Sequence, residues 1–136
     1  MPSVLIVDDE EPIRDAICLL LEDEGFVCLQ AGDGAQALQV LRASEDRVVM
    51  LLDLMMPRMS GKEVLNTIAA DPSLAGRHAV VVMTAADKTL PLAMVQMMKQ
   101  MDVPMIGKPF DIDSLLGMVV RAAKQLGDED STAGAV

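Results

Sequence analysis

Val48-Val49-Met50-Leu51-Leu52-Asp53 is an unbroken apolar run that stops on a carboxylate. Too short for a helix and without polar alternation, it reads as a strand covered on both faces, as in a parallel sheet. On its N-terminal side, Asp33-Gly34 opens a helix carrying Ala37, Leu38 and Leu41, preceded by a strand at Phe26–Leu29. Before that, Ile13, Ala16, Ile17, Leu20 and Leu21 form a stripe at helical spacing, with Pro12 suited to its first turn and Gly25 placed to stop it. Val4–Val7 is another fully apolar strand.

The same alternation continues on the C-terminal side. A loop from Leu54 to Met59 contains Pro57, and Ser60-Gly61-Lys62-Glu63 has the spacing of a capping box, so a third helix starts there with Val64, Leu65 and Ile68 inward. Asp71-Pro72 ends it. Ala79–Met83 is the fourth strand, ending at Thr84, and a fourth helix spans Leu90 to Met101. Val103–Gly107 is a weaker fifth strand, marked as an edge by Pro104. The last helix runs from Asp113 to Leu126, burying Leu115, Val119, Ala122 and Leu126.

Five such alternations imply a doubly wound α/β fold: a five-stranded parallel sheet with helices on both faces and right-handed crossovers. At 136 residues the chain makes one domain, burying about 68–70% of its unfolded surface at roughly this size. Residues 127–136 are acidic and small, and are expected to form a flexible tail after a domain of residues 1–126.

Composition narrows the function. With two Phe and no Tyr or Trp, the core is aliphatic and filled out by twelve Met. The chain lacks the stacking platforms of single-strand nucleic-acid binders, and a formal charge of −10 opposes direct contact with nucleic acid or an anionic membrane. Neither a signal-peptide core nor an apolar run of membrane-spanning length occurs, so a cytoplasmic location is expected. Cys18 falls in a helical apolar pattern and Cys28 in a strand-like one; both read as small core residues, and no disulfide is expected.

Asp8-Asp9 close the first strand, Asp53 closes the third, and Lys108 follows the fifth. In a parallel sheet these ends share one rim, where open α/β sheets bind ligands. Asp8 and Asp9 on their own could serve as helix caps, but Asp53 has no helix close after it to cap. Two carboxylates about 4 Å apart repel by roughly 4 kcal/mol at an effective dielectric of 20. Three such groups call for a cation, and an all-oxygen donor set points to Mg²⁺.

The ordered set Asp8-Asp9, Asp53-Leu54-Met55-Met56-Pro57 with Gly61, Thr84-Ala85 and Lys108-Pro109-Phe110 closely resembles the receiver domain of bacterial response regulators, over residues 3–126. The resemblance implies the flavodoxin-like strand order 2-1-3-4-5 and Asp53 as phosphoacceptor. It also implies Mg²⁺ held by Asp9 and Asp53 directly, by Asp8 through water and by the Met55 carbonyl. Thr84 and Lys108 would contact phosphoryl oxygens, and Lys108-Pro109 would be cis. The donor would be a histidine kinase or histidine phosphotransfer protein, and the output a protein–protein contact. The chain would not be an enzyme beyond Mg²⁺-dependent self-phosphorylation and slow autodephosphorylation, since Met55 stands where an aspartyl phosphohydrolase needs an acid/base group.

The chain departs from the family pattern in the stretch from Thr84 to Lys108, which includes the switch position. Receivers usually carry Tyr or Phe three residues before the lysine, and this chain has Met105. Met94, Met97, Met98 and Met101 lead up to it at helical spacing and read first as a core stripe, second as an adaptable partner surface. A stand-alone receiver is therefore the leading expectation. A phosphorylation-independent interaction module and a receiver fragment of a longer regulator are the alternatives.

Overall fold

The computed structural model describes residues 2–56, 59–85 and 90–135, with side chains as far as 126 except that of Ala85. Pro57 of the sequence motif falls outside the described residues. Ten elements alternate: β1 (Ser3–Val7), α1 (Glu11–Asp23), β2 (Cys28–Ala31), α2 (Gly34–Ala43), β3 (Val48–Asp53), α3 (Gly61–Ala70), β4 (Ala79–Ala85), α4 (Leu92–Met101), β5 (Met105–Lys108) and α5 (Ile112–Ala135). All pairings are parallel, and the strand order is β2-β1-β3-β4-β5, as expected.

Every residue of β3 is buried, which is why its run contains no polar position before Asp53. The two faces of the sheet bury separate clusters. Leu5, Met50, Leu52 and Val82 point toward α2, α3 and α4, where Leu38, Leu41, Val64, Leu65, Met94 and Met98 meet them. Ile6, Val49, Leu51 and Met83 point the other way, onto Ile17, Leu21, Leu115, Val119 and Leu126 of α1 and α5. The methionine stripe is thus largely core: Met94 and Met98 are buried, and Met97 and Met101 pack against them from the half-buried margin.

Local signals act where the sequence places them. Asp33 caps α2 by accepting from the Gln36 amide at 2.9 Å, and Ser60 caps α3 by accepting from the Glu63 amide at 3.4 Å. Gly25 adopts φ +94° directly after α1, a turn that only glycine enters freely.

The differences from expectation lie at edges and ends. Both edge strands sit two residues later at their start than the apolar runs implied, at Cys28 and Met105. Phe26 is buried beneath the turn instead of pairing in the sheet. The α4 helix begins at Leu92, with Pro91 as its cap. The α5 backbone stays helical to Ala135, past the end expected at Leu126. A helix already nucleated by packing extends at little cost even across Gly127.

The cysteine expectation is corrected outright. Cys18 and Cys28 form a disulfide, with Cα atoms 5.6 Å apart. Cys18 lies on the sheet-facing side of α1, above the first residue of β2, so two positions that read as separate core residues become neighbours on folding.

His78, expected in the loop before β4, is there but buried. Its Nδ1 accepts from the Val48 amide at 3.0 Å and ties this loop to the start of β3. Burial, then the nearby charges of Arg77 and Arg47, hold its pKa below the ordinary value, while the Leu41 backbone pulls the other way. A folded-state pKa below the unfolded one means that the neutral ring stabilises the fold fully above about pH 6.5. That contribution is lost as pH falls from there through the folded value. Urea unfolding should therefore show wild type losing stability relative to His78→Gln between pH 7.5 and 5.5, because Gln keeps an acceptor but does not titrate.

Candidate functional site

The register of the sheet assembles the rim. Val7 pairs with Leu52, so Asp8 and Asp53 leave adjacent strands side by side, while Thr84 pairs with Gly107 and Ala85 with Lys108. Lys108 is the last residue of β5 rather than the residue after it. Carboxylate oxygens of Asp8, Asp9 and Asp53 lie within 4.8 Å of one another. Asp8 and Asp53 are buried, and Asp9 is exposed. The Lys108 ammonium spans the pocket, donating to Asp8 Oδ2 at 3.0 Å and Asp53 Oδ2 at 3.2 Å.

Backbone contacts fix the carboxylates further. The Met55 amide donates to Asp53 Oδ1 at 2.9 Å, and the Glu10 amide donates to Asp8 Oδ1 at 2.9 Å. Asp8 thus braces the turn before α1 instead of capping it; the cap residue is Glu10, which makes no side-chain cap bond. Burial is the main influence on Asp53 and raises its pKa, with the Asp8 charge adding to it; the Met55 amide and Lys108 offset only part. Burial alone would depress Lys108, but its bond to Asp8 and the charges of Asp53 and Asp8 outweigh this and raise it.

Among the described residues, the Lys108 ammonium meets two of the three carboxylates, which leaves an excess of negative charge that suits a divalent cation bound by oxygen. Thr84 adds a second indication. It is buried, and among the described residues its Oγ1 has no hydrogen-bond partner. A hydroxyl left unsatisfied inside a fold is costly unless something binds it. It stands on the same rim, free to donate to a bound oxyanion.

Gly61 shapes the approach of α3 to this rim. A Cβ there would sit 2.6 Å from Leu54 Cα and 2.9 Å from the Asp53 carbonyl oxygen, both backbone atoms that cannot swing aside. Gly61→Ala is expected to lower stability by about 1–3 kcal/mol, the usual range for overpacking. Thermal unfolding followed by circular dichroism measures it; an unchanged midpoint would show that α3 can move back freely.

A chain belonging to a known family should match it across the whole fold. The model of the response regulator receiver domain matches residues 4–120. The chain belongs to the response regulator receiver family. Among relatives of this receiver, sensory transduction protein RegX3 of Mycolicibacterium smegmatis is 36% identical over 135 residues, covering 99% of this chain and 56% of that protein. DNA-binding response regulator MtrA of the same organism is 32% identical, covering 93% of this chain and 52% of its own length. The chain therefore spans about half the length of the curated relatives it matches. Among solved structures, a CheY-like receiver domain protein from Methanospirillum hungatei superimposes with a TM-score of 0.75 at 32% identity, covering 93% of this chain and 94% of that one. Chemotaxis protein CheY4 of Vibrio cholerae gives 0.73 at 29% identity, covering 90% and 98%.

Asp8, Asp9, Asp53 and Lys108, singled out from sequence, come together in this receiver, with Thr84 next along β4 from the residue that pairs with Asp53. Lys108-Pro109 is cis, as expected. Met105 lies apart from the pocket, at the start of the edge strand and half exposed. One participant was not anticipated: Arg14 donates from its guanidinium to the Asp8 carbonyl at 2.7 Å and to Gln30 at 3.0 Å. Its signal was present, since a cation in the first turn of a helix opposes the helix dipole and needs another reason to be there.

Proposed function

We propose that this receiver accepts a phosphoryl group on Asp53 from a phosphohistidine of a histidine kinase or phosphotransfer protein. The observation that carries the reading is the buried Asp53 carboxylate, held by Lys108 and the Met55 amide beside two further acids and the Thr84 hydroxyl, which is unpartnered among the described residues. An ionised Asp53 oxygen attacks phosphorus, the P–N bond breaks, and the electron pair leaves on the donor imidazole. Asp9 and Asp53, the Met55 carbonyl, and Asp8 through water would hold Mg²⁺. When bound, that ion neutralises charge building on the phosphoryl oxygens. Lys108 turns from the carboxylates to a phosphoryl oxygen, and Thr84 donates to another.

No acid/base side chain follows Asp53 at Met55, so the phosphoryl group is held and passed on, not turned over rapidly. The signal leaves through protein–protein contact in the cytoplasm, with Met105 as the switch position. The half-length coverage of relatives favours a second reading, in which the chain is the receiver unit of a longer regulator. In that case any DNA contact would belong to a part outside this chain, because a charge of −10 repels a phosphate backbone.

Incubation with acetyl phosphate, read by intact mass, tests the chemistry. A single phosphoryl adduct is expected with Mg²⁺ and none with a chelator present. Adduct formation at equal yield without a divalent cation would contradict the proposed metal role.

A further inference from the structure

Cys18 and Cys28 lie away from the acid pocket, and phosphoryl chemistry has no use for them. Cys18 is buried in α1, whereas Cys28, the first residue of edge strand β2, is only half-buried. Their Cα separation of 5.6 Å is one that a disulfide spans without moving the backbone. The strand they anchor is otherwise lightly held. It pairs with β1 on one side only, and Leu29 and Gln30 are exposed. Its side-chain hydrogen bonds to α1 are solvent-exposed: Gln30 accepts from Arg14 Nε and donates to Asp15, each at 3.0 Å.

We propose that Cys18–Cys28 is a reversible dithiol–disulfide switch, fastening β2 to α1 when oxidised and loosening it when reduced. Disulfides of proteins in reducing compartments are mostly transient and redox-sensing, and the proposed cytoplasmic setting places this pair among them. Access is one-sided. A thiolate of a dithiol reaches the Cys28 sulfur and bonds to it. The Cys18–Cys28 bond breaks, and its electron pair stays on Cys18, which takes up a proton. The second thiol of the reagent then attacks the mixed disulfide, freeing Cys28 as a thiol and leaving the reagent as a disulfide. Two electrons and two protons pass to the protein, and a disulfide such as oxidised glutathione reverses the exchange.

The fold tolerates both states, because a reduced Cys18 remains a small apolar side chain within the α1–α5 cluster. The effect also has a route to the pocket. The Asp8 amide donates to the Ala31 carbonyl of β2 at 3.3 Å, and Arg14 joins the Asp8 carbonyl to Gln30. Loosening β2 therefore loosens the backbone that carries Asp8. This holds whether or not Asp53 is the phosphoacceptor.

The test uses the full chain, equilibrated in native buffer with dithiothreitol or oxidised glutathione, with free thiols counted by alkylation and intact mass. Interconversion without denaturant is expected. Amides of β2 and Asp8 should exchange at least about fivefold faster in the reduced form, as local opening requires, with β3 and β4 unchanged. Cys28→Ser should match the reduced form under both conditions. Failure of oxidised glutathione to close the bond, reduction only after unfolding, or identical exchange in the two states would each overturn the proposal.

Discussion

Lys108→Ala is expected to lower the stability of the metal-free fold by about 2–4 kcal/mol, toward the lower part of what breaking a buried ion pair costs. The reason is asymmetry. Lys108 bridges Asp8 and Asp53, whose side chains are 1% and 7% exposed, and its removal leaves both carboxylates buried without their ammonium. The lysine itself is 27% exposed, which keeps the loss below that of a fully buried pair. Added Mg²⁺ should restore much of the stability, because the proposed site is assembled only in the folded state. Urea unfolding with and without the ion measures both parts. A variant as stable as wild type without metal would mean that the carboxylates are relieved by water or by protonation.

Asp53→Asn should have the opposite effect on stability and a total effect on chemistry. Burial holds the Asp53 pKa above its ordinary value, so the charged form is disfavoured in the fold. An acid whose folded pKa is raised contributes stability below the unfolded pKa, near 3.8, and loses it as pH rises through the folded value. At neutral pH the carboxylate is therefore a burden that a neutral amide removes, and the metal-free variant should unfold at higher urea than wild type. The amide is also no nucleophile toward phosphorus, so the acetyl phosphate adduct should vanish. Higher stability with an undiminished adduct would separate the two roles and move the acceptor elsewhere.

What could be read from sequence follows burial. The strands β1, β3 and β4 are enclosed on both faces, so their apolar runs mark them directly. The edge strands are different. Within β2 only Ala31 is buried, and within β5 only Ile106, so pairing with a neighbour fixes their position more than composition does. Apolar runs there pointed to residues such as Phe26, which is buried without being in the sheet. The disulfide was hidden for a related reason: it depends on how α1 lies over β2, which neither the apolar patterns around the two cysteines nor the expected compartment reveals.

The pocket was legible because its members terminate buried runs. Asp8, Asp53 and Lys108 lie at or just beyond strand ends and Thr84 one residue before one, where polarity changes abruptly along the chain. The contacts that organise them were not legible. That Lys108 would reach a carboxylate 100 residues away, or that Arg14 would support Asp8 through its carbonyl, emerges only from the packed sheet. Met105 is exposed to 47%, accessible to a partner yet without the ring that receivers usually carry there.

Identifying the modified residue after acetyl phosphate treatment with Mg²⁺ tests the central claim most directly. The adduct is quenched, trapped by borohydride reduction and mapped by tandem mass spectrometry. Modification at Asp53 alone is the predicted result; a reduced residue at Asp8 or Asp9 with Asp53 untouched would contradict it.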